Sequence, residues 1–233
     1  MKKGIVPTLL VSAIMLGGVG VTTLGATNHS TANAAESSDS ASGSADISFT
    51  ANTSSTTPSG PSDSGDSSNN GTGDAGPLSL DYVPNLHFGT HPVEGTNTYN
   101  VTNNNPYVQV TDNTGLKKGW NVTMAYTEFA NGANKLAGTK MDFAGSKATL
   151  TNPSNPSNSS NAGAPTVSDA SVDPATPTNM ATAQAGNGVG TWDMVYAGPS
   201  DDNPNIKLTV NGDETVGSYT STMTWNLTAG PTA

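Results

Sequence analysis

The chain is 233 residues long, carries a formal net charge of −10 at pH 7 and has no cysteine, which excludes disulfides, thiol catalysis and thiolate zinc sites. All eight cations are lysine. An arginine-free acidic surface argues against nucleic-acid partners and against electrostatic adhesion to anionic membranes or wall polymers.

Residues 1–34 read as a secretory signal peptide: Lys2-Lys3, an apolar stretch from Ile5 to Val21, then small residues ending at Ala34. No basic stop-transfer cluster follows, so cleavage at Ala34/Ala35 and no membrane span afterwards are expected. Cleavage removes two lysines and no acid, taking the mature chain to −12. Residues 35–233 then form one domain, long enough to stand on its own core without disulfides.

In chain order, ADISFTA (Ala45 to Ala51) places Ile47 and Phe49 on one face and predicts an N-terminal strand that pairs far along the chain. Residues 52–77 hold no large apolar side chain and read as a flexible, hydrated low-complexity loop with nothing to bury. Residues 151–165 read the same way, with Pro153, Pro156 and Pro165 spaced against regular ladders.

The remainder is written in strands. LSLDYV, YVQVTD, GWNVTMAYTEF, KATL, TWDMVYA, NIKLTV and SYTSTMTWNL show period-two alternation or β-branched enrichment. Turn signals at Asn85, His87-Phe88-Gly89, Asp112 to Gly115 and Asn211-Gly212 separate them. Residues 206–227 predict a hairpin with a long turn. TEFANGANKLAG comes nearest to a helical period, weakened by two glycines. The fold class expected is all-β: an antiparallel β-sandwich or barrel-like domain with long flexible loops.

One internal echo stands out. Trp120, Val122, Met124 and Tyr126 line one side of their strand; Tyr219, Met223, Trp225 and Leu227 line one side of the last, as two neighbouring core strands require. The opposite side of the last strand is Thr220, Thr222, Thr224 and Asn226, a row of hydroxyl and amide groups able to bond a glycan or peptide. Strict alternation assigns the aromatics to the core rather than to sugar stacking.

Together these residues resemble the WxL domain family of Gram-positive cell-surface proteins. GSYTSTMTWNLTAGP is similar to its distal signature, and VTDNTGLKKGWNVTMA to its first Trp-x-aliphatic element, with Val122 where Leu is commoner. LSLDYVPNLHFG resembles its opening segment, and GNGVGTWDMVYAG the strand entering its C-terminal half. Two departures are plain: Asn113-Thr114 follow Asp112 where members often carry Arg, and Trp192-Asp193-Met194 competes with Trp120-Asn121-Val122 as the first motif. The resemblance implies a secreted protein of the cell wall and cell surface, associated with peptidoglycan and with other exported wall proteins. It makes Trp120, Val122, Tyr219, Trp225 and Leu227 the motif residues. The competing expectation is an adhesin or scaffold subunit that binds another wall protein or host matrix.

Chemistry points away from catalysis. His87 and His91 are spaced as a helical metal pair, but Phe88-Gly89 and Pro92 break any helix there, leaving turn histidines. No Gly-x-Ser-x-Gly occurs. Glu94, Asp112, Glu128, Asp142 and Asp193 show no two-carboxylate pattern for sugar hydrolysis. Asp201 to Asn205 lacks the spacing of a calcium loop, and Gly186 to Gly190 leads into a strand rather than a helix, which disfavours phosphate binding. No cofactor, metal or catalytic residue is expected. No Leu-Pro-x-Thr-Gly stands in these residues, so wall attachment is expected to be non-covalent.

Overall fold

The computed structural model describes residues 41–150, 163–212 and 214–231. The signal-peptide reading and most of the 151–165 reading lie outside the described residues. Two units are distinguished, residues 1–47 and 48–233. Of the first, the described residues 41–47 are exposed and belong to no strand.

The second unit is all-β, and every ladder in it is antiparallel. Its strands are β1 (Leu78–Tyr82), β2 (Thr96–Val101), β3 (Tyr107–Asp112), β4 (Trp120–Tyr126), β5 (Phe129–Asn131), β6 (Asn134–Leu136) and β7 (Lys140–Phe143). There follow β8 (Lys147–Leu150), β9 (Thr166–Val167), β10 (Ala170–Val172), β11 (Thr178–Ala183), β12 (Gly190–Val195), β13 (Asn203–Asn211) and β14 (Met223–Ala229). They form a first sheet ordered β1-β3-β12-β8, a second ordered β10-β7-β13-β2, a third ordered β14-β4-β11-β9, and the ribbon β5-β6.

Alternation explains which side chains meet. Val108 and Val110 with Trp192 and Met194 from the first sheet, Met141, Phe143 and Ile206 from the second, and Trp120, Val122, Met124 and Met180 from the third join one apolar cluster. Each side chain of this size contributes roughly 1.5–3 kcal/mol by leaving water. A satellite cluster of Leu136, Leu208 and Val210 lies beside it.

Two sequence expectations are corrected. Residues 206–227 are not a hairpin: β13 pairs with β2 and β7, whereas β14 pairs with β4 in a different sheet. The inward residues of each strand match partners distant in sequence. Ala45 to Ala51 pairs with nothing among the described residues, and Ile47 and Phe49 are 80% and 86% exposed. The stretch TEFANGANKLAG is the β5–β6 ribbon, turning at Gly132 with φ of 61°.

The reading of 52–77 as having nothing to bury is also overturned. It lacks apolar bulk, yet its Asp63 and Asp66 are buried and its backbone is bonded to the body of the domain. It lies as a strap over the first sheet, which explains why all six residues of β3 are buried, on both faces.

Candidate functional site

The two Trp-bearing strands lie side by side. In the β14–β4 ladder Trp225 stands opposite Met124, Leu227 opposite Val122 and Ala229 opposite Trp120. The central strand β4 buries Trp120 and Val122 completely, whereas Met223, Trp225 and Leu227 on the edge strand are half-buried against the same cluster. Trp225 meets Phe143 of the second sheet edge-on, with ring centroids 6.4 Å apart. Tyr219 precedes β14, packs on the satellite cluster and shares a 2.8 Å hydrogen bond with Thr215 Oγ1.

The tryptophans differ in their polar ends. Trp120 Nε1 donates to the carbonyl of Gly188 at 3.0 Å, and Trp192 Nε1 to that of Val189 at 3.1 Å. The Gly186–Gly190 turn thus accepts both indoles on successive carbonyls. At Gly188, whose φ is 73°, an added Cβ would stand 2.5 Å from Trp120 Nε1, so only glycine lets the backbone come this close. The buried Trp225 Nε1 has no acceptor among the described residues.

Outward, Thr220, Thr222, Thr224 and Asn226 are all exposed. Thr220 and Thr222 lie before β14 and hold the chain to the body through their backbones: Thr220 exchanges two bonds with Ala130, and the Thr222 carbonyl accepts from the Thr127 amide. Register then extends the row across the sheet. Asn226 faces Thr123 on β4, which faces Asn179 on β11; Thr228 faces Asn121, which faces Thr182. Asn121 is itself buried, and its amide donates to Asn179 Oδ1 at 2.9 Å and to Thr182 Oγ1 at 3.0 Å, tying β4 to β11 beneath this surface. No strand of the sheet contains a charged residue, in a chain of net charge −10. The result is a surface of neutral hydroxyl and amide donors and acceptors.

A family model for the WxL domain, a surface cell wall-binding domain, matches residues 35–231. The chain belongs to the WxL family. It is therefore a wall-associated cell-surface protein. No curated protein and no solved structure matches it. In this WxL chain the triplet Trp120-Asn121-Val122 stands beside Trp225-Asn226-Leu227, whereas Trp192-Asp193-Met194 lies in the first sheet against Val110 and Val108. Asp112 closes its own turn by accepting from Thr114 N at 3.0 Å and Thr114 Oγ1 at 2.6 Å.

A second polar assembly escaped sequence reasoning. The strap-side face of the first sheet presents Ser79, Asp81, Gln109, Thr111, Thr191 and Asp193, all buried. Asp81 accepts from Ser79 Oγ at 2.6 Å, Thr111 Oγ1 at 2.6 Å and Gln109 Nε2 at 3.0 Å. Gln109 in turn accepts from Ser59 N of the strap at 2.7 Å. Beside this layer Tyr82 and Tyr107 stack with ring centroids 4.0 Å apart, under a cleft of about 280 Å³ lined by Pro58, Asp63 and Asp66. Burial pushes the Tyr107 hydroxyl up to about 12, with the Asp193 charge adding to it. Burial raises Tyr82 further, helped by its hydrogen bond to Asp66. Asp63 and Asp66 are engaged by amides: Asp63 Oδ2 accepts from Asn103 Nδ2 at 2.7 Å, and Asp66 from Asn69, Asn85 and Tyr82. Both carboxylates fasten the strap.

The remaining candidates have local partners. His91 stacks on Tyr99 at 4.0 Å, and the His87 carbonyl accepts from Thr102, with no helix between the two histidines. Glu128 pairs with Lys135 at 2.9 Å, Glu94 accepts from Asn97, and Asp142 accepts from Ser171. In the Asp201–Asn205 stretch Asn203 is buried and donates to the carbonyls of Asn103 and Tyr196. Among the described residues no three His, Cys, Asp or Glu side chains gather as a metal site requires.

Proposed function

We propose that this WxL protein is exported, loses residues 1–34 and is held non-covalently on wall peptidoglycan, without catalytic activity of its own. The observation that carries this reading is the charge-free face around β14, extending from Thr224 and Asn226 through Thr123 to Asn179 and Thr182. Hydroxyls and amides match the hydrogen-bonding groups of a neutral glycan strand, and they do so without the lysine clusters that wall phosphates would require. The motif side chains Trp120, Val122, Tyr219, Trp225 and Leu227 serve this face from behind: they fix the strands whose outer residues meet the ligand. Thr220 and Thr222 extend the same exposed row along the entry to β14.

Incubation of the purified secreted chain with washed wall sacculi, followed by sedimentation, tests the proposal. Co-sedimentation without release of soluble wall fragments is the expected result. Failure to sediment would favour attachment through another wall protein, and release of fragments would show a hydrolase.

A further inference from the structure

Two features of the chain have complementary needs. The first is Ala45 to Ala51, whose Ile47 and Phe49 are 80% and 86% exposed although they alternate with Ser48 and Thr50 as strand residues do. The second is the outer edge of β14. β14 is an edge strand of seven residues, bonded to β4 on one side and to no described residue on the other. It contains no charge, proline or glycine, the residues by which sheet edges are usually protected. Its inward residues Met223, Trp225 and Leu227 are only half-covered.

Other edges are better guarded. That of β1 is covered by the strap, through the Thr72 amide on the Asp81 carbonyl and the Thr72 hydroxyl on the Leu80 carbonyl. On β2 the Thr98 amide is taken by Asn97 Oδ1 at 2.8 Å, and His91 lies on Tyr99.

We propose that Ala45 to Ala51 of one copy adds as a strand along the outer edge of β14 in a second copy. The lengths agree, because both stretches span seven residues. The spacing agrees too: Ile47 and Phe49, two apart, extend the apolar side formed by Met223, Trp225 and Leu227, while Ser48 and Thr50 extend the Thr224-Asn226-Thr228 side. Main-chain ladder bonds supply affinity and the alternate side chains supply register. The added strand covers the part of the Trp225 side chain that is still exposed. Such a contact joins unlike surfaces, so it propagates head to tail, or closes where two copies exchange their segments.

The absence of cysteine makes the test clean. Chains carrying Ser48→Cys are mixed with chains carrying Thr224→Cys, Asn226→Cys or Thr228→Cys, and mild oxidation is followed by non-reducing electrophoresis. Cross-strand neighbours bring Cβ atoms within about 4.5–5.5 Å, so one of the three mixtures should give the mixed disulfide in large excess over either homodimer. Sedimentation velocity of the wild-type chain should show concentration-dependent species beyond the monomer. These should be lost in Ile47→Asp/Phe49→Asp, whose exposed positions leave the fold unaffected. A wild-type chain that stays monomeric throughout, or equal yields of mixed and like disulfides, would overturn the proposal. So would a Ser48→Cys/Asn226→Cys chain that closes only within itself, which would make the occupant the molecule's own segment.

Discussion

Replacing Asp66 by alanine should weaken the whole domain, although Asp66 sits in a stretch composed of Ser, Gly, Asn and Pro. Its carboxylate is buried and accepts from Asn69 Nδ2 at 2.7 Å and from Tyr82 Oη, Asn85 N and Asn85 Nδ2 at 2.8 Å each. Hydrogen bonds to a charged acceptor contribute roughly 1.5–3 kcal/mol apiece, and a donor stranded in the interior costs about 1–3 kcal/mol. The four bonds share one group and water can enter the adjoining cleft, so the sum is far from additive; about 3–5 kcal/mol is the expected loss. Against a total stability of roughly 5–15 kcal/mol this is severe, and for a domain of this length it corresponds to a fall in Tm of about 6–20 °C. Asp66→Asn keeps the shape and one acceptor oxygen and should fall between alanine and wild type. Ser67→Ala, one residue along and exposed, should stay within about 0.5 kcal/mol. Circular dichroism melts with urea titrations measure all three. An Asp66→Ala chain melting within a degree of wild type would refute the strap as a structural element.

Gly188→Ala drives a methyl group against Trp120 at a positive φ and should cost well over the ~1–2 kcal/mol of left-handed strain alone. Gly186→Ala, with φ of 92° and open space around it, should cost only that strain, as paired urea titrations would show. Trp120→Phe strands the Gly188 carbonyl and opens a cavity, whereas Trp225→Phe removes an N–H that has no acceptor among the described residues. The first should therefore destabilise by about 2–4 kcal/mol and the second by less than half as much. Alkaline pH supplies a further test, since burial raises the hydroxyls of Tyr82, Tyr107, Tyr126 and Tyr196 above the ordinary tyrosine value. The folded state holds these protons more tightly than the unfolded chain, so their stabilisation is complete below about pH 10 and declines as pH rises towards the folded values. Tyrosinate absorbance should rise together with loss of circular dichroism above pH 10; full titration of these tyrosines in an intact fold would contradict their burial.

Strands with large alternating residues were legible in the sequence. Tyr107 to Asp112, Trp120 to Tyr126, Gly190 to Val195 and Asn203 to Asn211 alternate bulky side chains at period two, and that pattern survives in the ladders. The likeness between the Trp120 and Trp225 strands also foreshadowed their adjacency, because matching inward residues are what paired strands share. Strands built of Thr, Asn and Ala were missed. TNTYNV and TNMATA offer too few large side chains to separate a ladder from a polar loop. The false 206–227 hairpin shows why pairing is harder to read than strand existence: a partner is selected by distant inward residues, not by the nearest turn. The strap was illegible for another reason. Its anchoring is polar on polar, Asp63 on Asn103 and Ser59 on Gln109, and composition gives such a segment the same appearance whether it is hydrated or enclosed.

The central claim is that the neutral face on β14, β4 and β11 holds the wall while the motif aromatics act from behind it. It is tested most directly by sedimenting three chains with washed sacculi at low and physiological salt: wild type, Thr224→Ala/Asn226→Ala, and Trp225→Phe. Wild type should pellet almost equally at both salt concentrations, since it offers wall phosphates no arginine and, apart from the Lys117-Lys118 pair, only dispersed lysine; a steep fall with salt would point to that pair. The alanine pair should keep its Tm and lose binding, and Trp225→Phe should lose stability yet bind wherever it remains folded. The reverse pattern, with full binding by the alanine pair and lost binding by a fully stable Trp225→Phe, would place the ligand on the aromatic and contradict the assignment of the two faces.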